Sequence, residues 1–185
     1  MQTAPAKRAL QVAAALSAEL TELSQFQPAL PVQRSEQTRR ADEAVAEAYD
    51  LLIDDPELLS TTQKLFRNGH WAQSVEKAFK YINNFVKHRT GLAADGADLM
   101  NRALSPKSPL LKLSALETES QCNQQIGYMQ IMADAMTGVR NPRAHEHRYL
   151  EDPRVALELL CLANHLARII GHATRARSRR TTSPH

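Results

Sequence analysis

The stretch WAQSVEKAFKYINNFV, residues 71–86, decides the fold class. Its apolar residues recur at steps of one, three and four, which places them on one face of an α-helix. They are Trp71, Val75, Ala78, Phe79, Ile82, Phe85 and Val86. Lys77, Lys80, Asn83, Asn84 and Lys87 fall outside this stripe. The pattern predicts a helix with one buried face, as in a helical bundle.

Further helices follow from their end signals. Asp55-Pro56 and Asp152-Pro153 each combine a capping aspartate with a proline in the first turn, and Asn68-Gly69 and Thr90-Gly91 predict helix ends. A long helix is predicted from Glu117 to Val139, with Ile126, Met129, Ala133 and Met136 inward. The last helix is predicted to bury Val155, Leu159, Leu162, Leu166 and Ile169. No segment predicts a strand, so the fold class is all-α.

The domain organisation has three parts. Residues 1–54 are predicted to form an N-terminal helical extension, with helices over 7–24 and 36–53 separated by a proline-containing linker. Residues 55–174 are predicted to form the helical domain. Residues 175–185 are predicted to be a disordered basic tail.

Composition narrows the classes of function. No apolar run reaches the ~18 residues that a membrane span needs, and the two cysteines fit buried free thiols, so we expect a cytoplasmic protein without a membrane partner. The formal net charge is +3, but the four arginines after His172 account for it and leave 3 − 4 = −1 on the body. A global nucleic-acid-binding charge is therefore excluded, and any RNA contact must be local.

The segment GVRNPRAHEH, residues 138–147, concentrates the residues that could carry chemistry. RNA scission requires a ribose 2′-OH to lose a proton and attack the adjacent phosphate. His145 could take or give that proton, Arg140 could hold the phosphate oxygens through two N–H groups, and Asn141 could orient either one. These three are the candidate catalytic residues, and the reaction needs no metal or cofactor.

Other residues are weaker candidates for substrate binding. Arg143, Glu146, His147 and His70 each also fit a structural or solvent-exposed role. His145 and His147 could bind a metal only with a further ligand from elsewhere, and no cluster has the spacing for one. Lys77, Lys80 and Lys87 fit either a solvated helix face or a track for an RNA backbone.

Spacing alone does not identify a nuclease, because Arg180 and His185 in the tail repeat it. Longer matches are more specific. Residues 65–72 (LFRNGHWA), Asp95-Gly96 with Leu99-Met100, Glu119-Ser120 with Gly127, and residues 138–146 (GVRNPRAHE) resemble the Ymh-type branch of the HEPN ribonuclease superfamily. The resemblance covers most of residues 55–171. Arg140, Asn141 and His145 match the superfamily's nuclease motif.

The resemblance implies a bundle of four to five helices and a metal-independent endoribonuclease. It also implies a homodimer that brings two motifs into one cleft, and a setting in toxin–antitoxin or antiviral defence with a possible antitoxin or defence-system partner protein. His147 stands where toxins of a related branch carry tyrosine, so control by modification of that tyrosine is in doubt. The alternative function is a non-catalytic helical interaction or nucleotide-binding module in a defence complex.

Overall fold

The computed structural model describes residues 36–140 and 150–176, without the side chains of residues 37–39. Compactness divides the chain into Met1–Arg39 and Arg40–His185, and nearly all described residues belong to the second unit. Its helices are α1 (Glu36–Leu52), α2 (Pro56–Arg67), α3 (Trp71–Thr90), α4 (Gly96–Leu104), α5 (Glu119–Ala135) and α6 (Pro153–His172). A π-helical turn, Met136–Arg140, extends α5. The all-α prediction is confirmed.

The helix ends follow the predicted local signals. Asp55 accepts a hydrogen bond from the Leu58 amide at the start of α2, and Asp152 accepts one from the Arg154 amide at the start of α6. Gly91 ends α3 with a φ of 75°, in the left-handed region that glycine adopts without strain. These contacts satisfy backbone groups that a helix end leaves without partners.

Helix α3 is the centre of the bundle. It packs against α2, α4, α6 and the π-helical turn, while α4 packs against α5. Six of the seven residues in its predicted stripe are buried, as expected. Phe85 is the exception, because it is half-exposed.

Helix α6 buries a different face from the predicted one. Its buried apolar residues are Ala156, Leu160, Ala163, Leu166, Ala167 and Ile170. Of the predicted stripe only Leu166 is among them, and Val155 is 42% exposed. The helix is apolar over a wide arc, so spacing alone did not select the inner side. The buried face of α6 is rich in small alanines, and the helix packs against α3.

The structure departs from the prediction at the end of α5 and in a short pair of strands. Helix α5 ends at Ala135 rather than Val139. There the Thr137 hydroxyl donates to the Ala133 carbonyl over 3.2 Å, which competes with the regular helix bond to that oxygen. A short antiparallel pair joins β1 (Leu111–Lys112) to β2 (Thr174–Arg175), although no strand was predicted. The rest of the predicted tail, residues 177–185, lies outside the described residues, as do residues 1–35.

Two buried amides tie the loops to the bundle. The Gln125 amide donates to the carbonyls of Leu104 and Leu111, both over 2.9 Å, and its oxygen accepts from the Leu113 amide over 3.0 Å. Asn164 on α6 makes equivalent contacts with the turn between α1 and α2. Tyr49 and Ile53 belong to the same hydrophobic core as α3, so the C-terminal part of α1 is built into the bundle.

Candidate functional site

Arg140, the first residue of the predicted catalytic motif, is held in place by an ion pair. It is the last residue of the π-helical turn, and its side chain is 24% exposed. Its Nη1 lies 3.2 Å from Oδ2 of Asp95, the residue that precedes α4. The contact fixes the guanidinium against the junction of α3 and α4.

Asp95 gathers further polar groups from α3. Its Oδ1 lies 2.9 Å from the Lys87 ammonium and accepts a hydrogen bond from the Asn83 amide over 2.6 Å. The oxygen of Asn83 in turn accepts from the Gly96 amide over 2.9 Å, at the first turn of α4. Asn83 is only 1% exposed, so its bonds are shielded from water. One buried amide and one carboxylate thus connect α3, α4 and Arg140.

The charge state of Asp95 follows from these partners. Hydrogen bonding from Lys87, and then from Asn83 and Arg140, lowers the pKa of the Asp95 carboxyl to about 2 against a partial desolvation that raises it. Asp95 is therefore a carboxylate throughout the neutral range, and its negative charge is shared between two cations.

The Asp95→Asn variant should be less stable, and its deficit should depend on pH. Because folding lowers the Asp95 pKa, the ionised carboxyl stabilises the protein above its ordinary value of 3.8, and this contribution is lost as pH falls towards about 2. The side chain is 53% exposed, so solvent screening reduces the expected loss at neutral pH to ~1 kcal/mol.

Urea unfolding of wild type and variant at several pH values would measure this difference. It should be constant from about pH 7 to pH 5 and shrink between about pH 4 and pH 2. Asp98→Asn is the matched control, since Asp98 lies in the first turn of α4, close to Asp95 in the chain, and pairs with Arg102 in an exposed contact. A deficit that stays equal at about pH 7 and pH 3 would contradict the ion-pair explanation.

The other residues of the motif lie outside the described residues. Asn141, Arg143, His145, Glu146 and His147 all fall within residues 141–149. The structure describes the two ends between which they lie. At one end is Arg140 with its ion pair, and at the other is Leu150, which is 7% exposed and belongs to the core. Both ends of the segment are thus fixed to the bundle.

His70 lies far from Arg140 along the bundle. It occupies the N-cap position of α3, is exposed, and makes no side-chain capping bond. It precedes Lys87 by 17 residues, which corresponds to about 25 Å along a helix axis. The structure therefore brings Lys87 and Asp95 to Arg140, and it does not bring His70 there.

Neither Asn83 nor Asp95 is predicted as a site residue from the sequence. Asn83 falls outside the apolar stripe, and Asp95 belongs only to the Asp-Gly pair that resembles the family. The signal in the sequence is the position of the Asn83 amide, which follows buried Ile82 and lies one turn before buried Val86. A polar residue at that edge of a stripe requires a buried partner.

The described residues contain no group of three or more His, Cys, Asp or Glu side chains that could hold a metal ion. One helix in this part of the chain, Pro153–His172, is long and apolar enough to cross a membrane by length and composition. It packs against α3, and core helices of soluble proteins pass the same test. Arg154, Glu158 and Arg168 are distributed along it, which favours a core helix over a membrane span.

Comparison with known proteins places the chain in a family. Comparison with curated proteins and with solved structures gives no significant match. A family model described as "Protein of unknown function (Hypoth_ymh)" matches residues 53–170. That range begins at the first residue after α1 and ends in the final turn of α6, so it covers the bundle from α2 to α6. The chain belongs to the Hypoth_ymh family.

Proposed function

We propose that this protein is a metal-independent endoribonuclease of the HEPN type, with Arg140, Asn141 and His145 as its catalytic residues. The observation that carries the proposal is the fixation of Arg140 by Asp95 beside Lys87. A cation built into a rigid helix junction, directly before a segment with two histidines, suits the stabilisation of charge on a phosphate.

The proposed reaction balances without a cofactor. His145 removes the proton from a ribose 2′-OH, and the oxygen attacks the adjacent phosphorus. The bond from phosphorus to the 5′-oxygen of the next nucleotide breaks. That oxygen takes a proton from a general acid, which is either the now protonated His145 imidazole or an imidazole of a partner protomer. The products are a 2′,3′-cyclic phosphate and a 5′-hydroxyl.

Arg140 neutralises the charge that develops on the phosphate. A guanidinium carries five N–H donors, and the described contact with Asp95 uses one nitrogen. Asp95 therefore limits the orientations of Arg140 and leaves donors for the substrate. Asn141 would orient the histidine or the phosphate, while Arg143, Glu146 and His147 are weaker candidates for substrate contacts.

The setting is proposed from the sequence resemblance to HEPN proteins. It comprises cytoplasmic action in a toxin–antitoxin or antiviral defence system, with a possible protein partner. The direct test is incubation of the purified protein with total RNA in EDTA, with end-group analysis of the products. Intact RNA in every ionic condition would favour the alternative, a non-catalytic interaction module.

We expect the protein to be a homodimer in solution, and the exposed apolar residues support this. Ile131 on α5 is 45% exposed and Val155 on α6 is 42% exposed, and the rest of the predicted α6 stripe is half-buried apart from Leu166. Contact of these side chains with a second copy would remove apolar surface from water.

Light scattering at micromolar concentration should give twice the mass of one chain. The double variant Val155→Glu with Ile131→Glu should give the mass of a single chain. Leu51→Glu is the control, because Leu51 is 83% exposed and lies on α1. A monomeric wild-type protein that cleaves RNA would contradict the dimer while leaving the chemistry intact.

A further inference from the structure

A groove between α2 and α3 lies on a part of the bundle that the proposed catalytic motif does not use. Its volume is about 600 Å³, within the range of ~300–1,000 Å³ typical of small-molecule sites. Its lining is formed by Glu57, Thr61, Lys77, Lys80, Tyr81, Asn84, Phe85 and His88. Two aromatic rings, three basic side chains and one carboxylate therefore meet in one concave surface.

The two rings form a parallel stack that neighbouring residues hold in place. Tyr81 and Phe85 stack with centroids 5.7 Å apart and planes within 9°. The Tyr81 hydroxyl donates to Oδ2 of Asp55 over 3.2 Å, and the Arg89 guanidinium lies 5.9 Å from the centre of the Phe85 ring. Arg89 is itself held by the carbonyls of Ile170, Gly171 and Ala173 at the end of α6. Contacts on both sides thus hold a half-exposed aromatic pair in place.

The basic side chains of the groove lie on α3, and its carboxylate lies on α2. Lys77 and Lys80 are exposed, and within the described ranges neither has an ion-pair partner. His88 adds an imidazole on the same helix, whereas Glu57 lies on the α2 side. An anionic group is therefore favoured at the α3 lysines and repelled near α2.

We propose that this groove binds a nucleotide unit of single-stranded RNA, with its base against Tyr81 and Phe85 and its phosphate on Lys77 and Lys80. A planar base can extend a stack of parallel aromatic rings, and the lysines beside this stack can bind the phosphate that the base carries. The hydroxyl, amide and carboxylate of Thr61, Asn84 and Glu57 supply polar groups for the base edge. A base paired within a duplex could not reach this surface, so the groove selects unpaired RNA.

The same helix connects the groove to Arg140. Lys80 and Lys87 are seven residues apart on α3, so they share a face and lie about 10 Å apart along its axis. Lys87 meets Asp95, which meets Arg140. A strand seated in the groove can therefore pass along this face to the proposed catalytic centre. This inference rests on the proposed function for the identity of the ligand, and its test is a binding measurement that requires no cleavage.

The test measures fluorescence anisotropy of a 5′-labelled rA8 oligonucleotide with the full chain carrying His145→Ala. Lys77→Gln with Lys80→Gln should weaken binding and reduce the salt slope by about 0.7, since the two lysines bind one phosphate and each phosphate contact on a single strand contributes about 0.7. Phe85→Leu should weaken binding by about 5- to 150-fold, the range of one lost stacking contact, with no change in salt slope. Glu57→Gln should tighten binding.

Controls separate the groove from general effects. Lys64→Gln with Lys107→Gln removes two exposed lysines outside the groove lining, and it should leave the salt slope close to wild type. Helical content by circular dichroism checks that Phe85→Leu remains folded. The two lysine substitutions lie on the exposed face of α3, so they test the proposal even if the Phe85 variant unfolds.

Competitors distinguish the source of the nucleotide. An rA8 duplexed with rU8, and AMP at equal nucleotide concentration, should both compete poorly against single-stranded rA8. If AMP competes as well as rA8, or if the groove variants bind as wild type does, the strand proposal is overturned. RNA binding that depends on the groove in a protein that never cleaves RNA would overturn the proposed nuclease function alone. Conversely, cleavage with unchanged KM in all groove variants would overturn the groove alone.

Discussion

Replacing His145 by alanine should lower the rate of RNA cleavage by ~10²–10⁴-fold, the usual contribution of a positioned general acid–base. The wild-type reaction should continue in EDTA and leave 2′,3′-cyclic phosphate ends. DNA should remain intact because it has no 2′-OH. The measurement is the single-turnover rate on a labelled RNA, with the product ends identified by mass. Activity that EDTA abolishes, or products that end in a 3′-hydroxyl, would reject this mechanism.

Arg140→Lys tests the second half of the same mechanism. The lysine keeps a positive charge beside Asp95, so the fold should be retained, but an ammonium lacks the planar two-point grip of a guanidinium. We therefore expect a severe loss of cleavage with little loss of stability. His185→Ala is the matched control, because Arg180 and His185 repeat the spacing of the motif without its context. A wild-type rate in His145→Ala would remove the basis of the assignment.

Asn164→Leu should lower the free energy of unfolding more than Asp95→Asn does. The Asn164 oxygen accepts from the amides of Asp54 and Asp55 over 3.3 and 3.0 Å, and its nitrogen donates to the Leu52 carbonyl over 3.2 Å and to Asp54 Oδ1 over 2.8 Å. Asn164 is 4% exposed. Leucine has a similar size but would leave these partners unsatisfied, at a cost of ~2–4 kcal/mol.

Urea unfolding followed by circular dichroism would measure the loss. Arg168→Gln is a suitable control, since Arg168 bonds the same Asp54 carboxylate at an exposed position and such surface pairs contribute little. A midpoint for Asn164→Leu equal to that of the control would show that the turn between α1 and α2 does not depend on this amide.

The starts of α2 and α6 and the end of α3 could be predicted from sequence because their causes are local. Asp55, Asp152 and Gly91 each act on backbone groups within a few residues, so their effect is independent of the remainder of the fold. The same holds for the α3 stripe, where polar residues leave one apolar face.

Features that depend on distant partners could not be predicted in this way. The inner face of α6 carries Ala156, Ala163 and Ala167 and is set by packing against α3. Leu159 and Leu162 are also apolar, so apolar spacing alone does not identify this face. Phe85 continues the α3 stripe in sequence, yet it borders a groove because of where α2 lies. Asp95 becomes part of the candidate site only because the fold brings it to Arg140, 45 residues away.

The π-helical turn at Met136–Arg140 has a consequence for how mutations in the gene would act. A π-helical turn is equivalent to one residue inserted into an α-helix. Losing one codon among residues 136–139 would change the backbone spacing directly before Arg140 and should weaken its contact with Asp95, although Arg140, Asn141 and His145 would still be encoded. A missense change at Gly138 would be milder, since an added Cβ there meets nothing within 4 Å. At this turn the number of residues, more than their identity, determines where the Arg140 side chain lies.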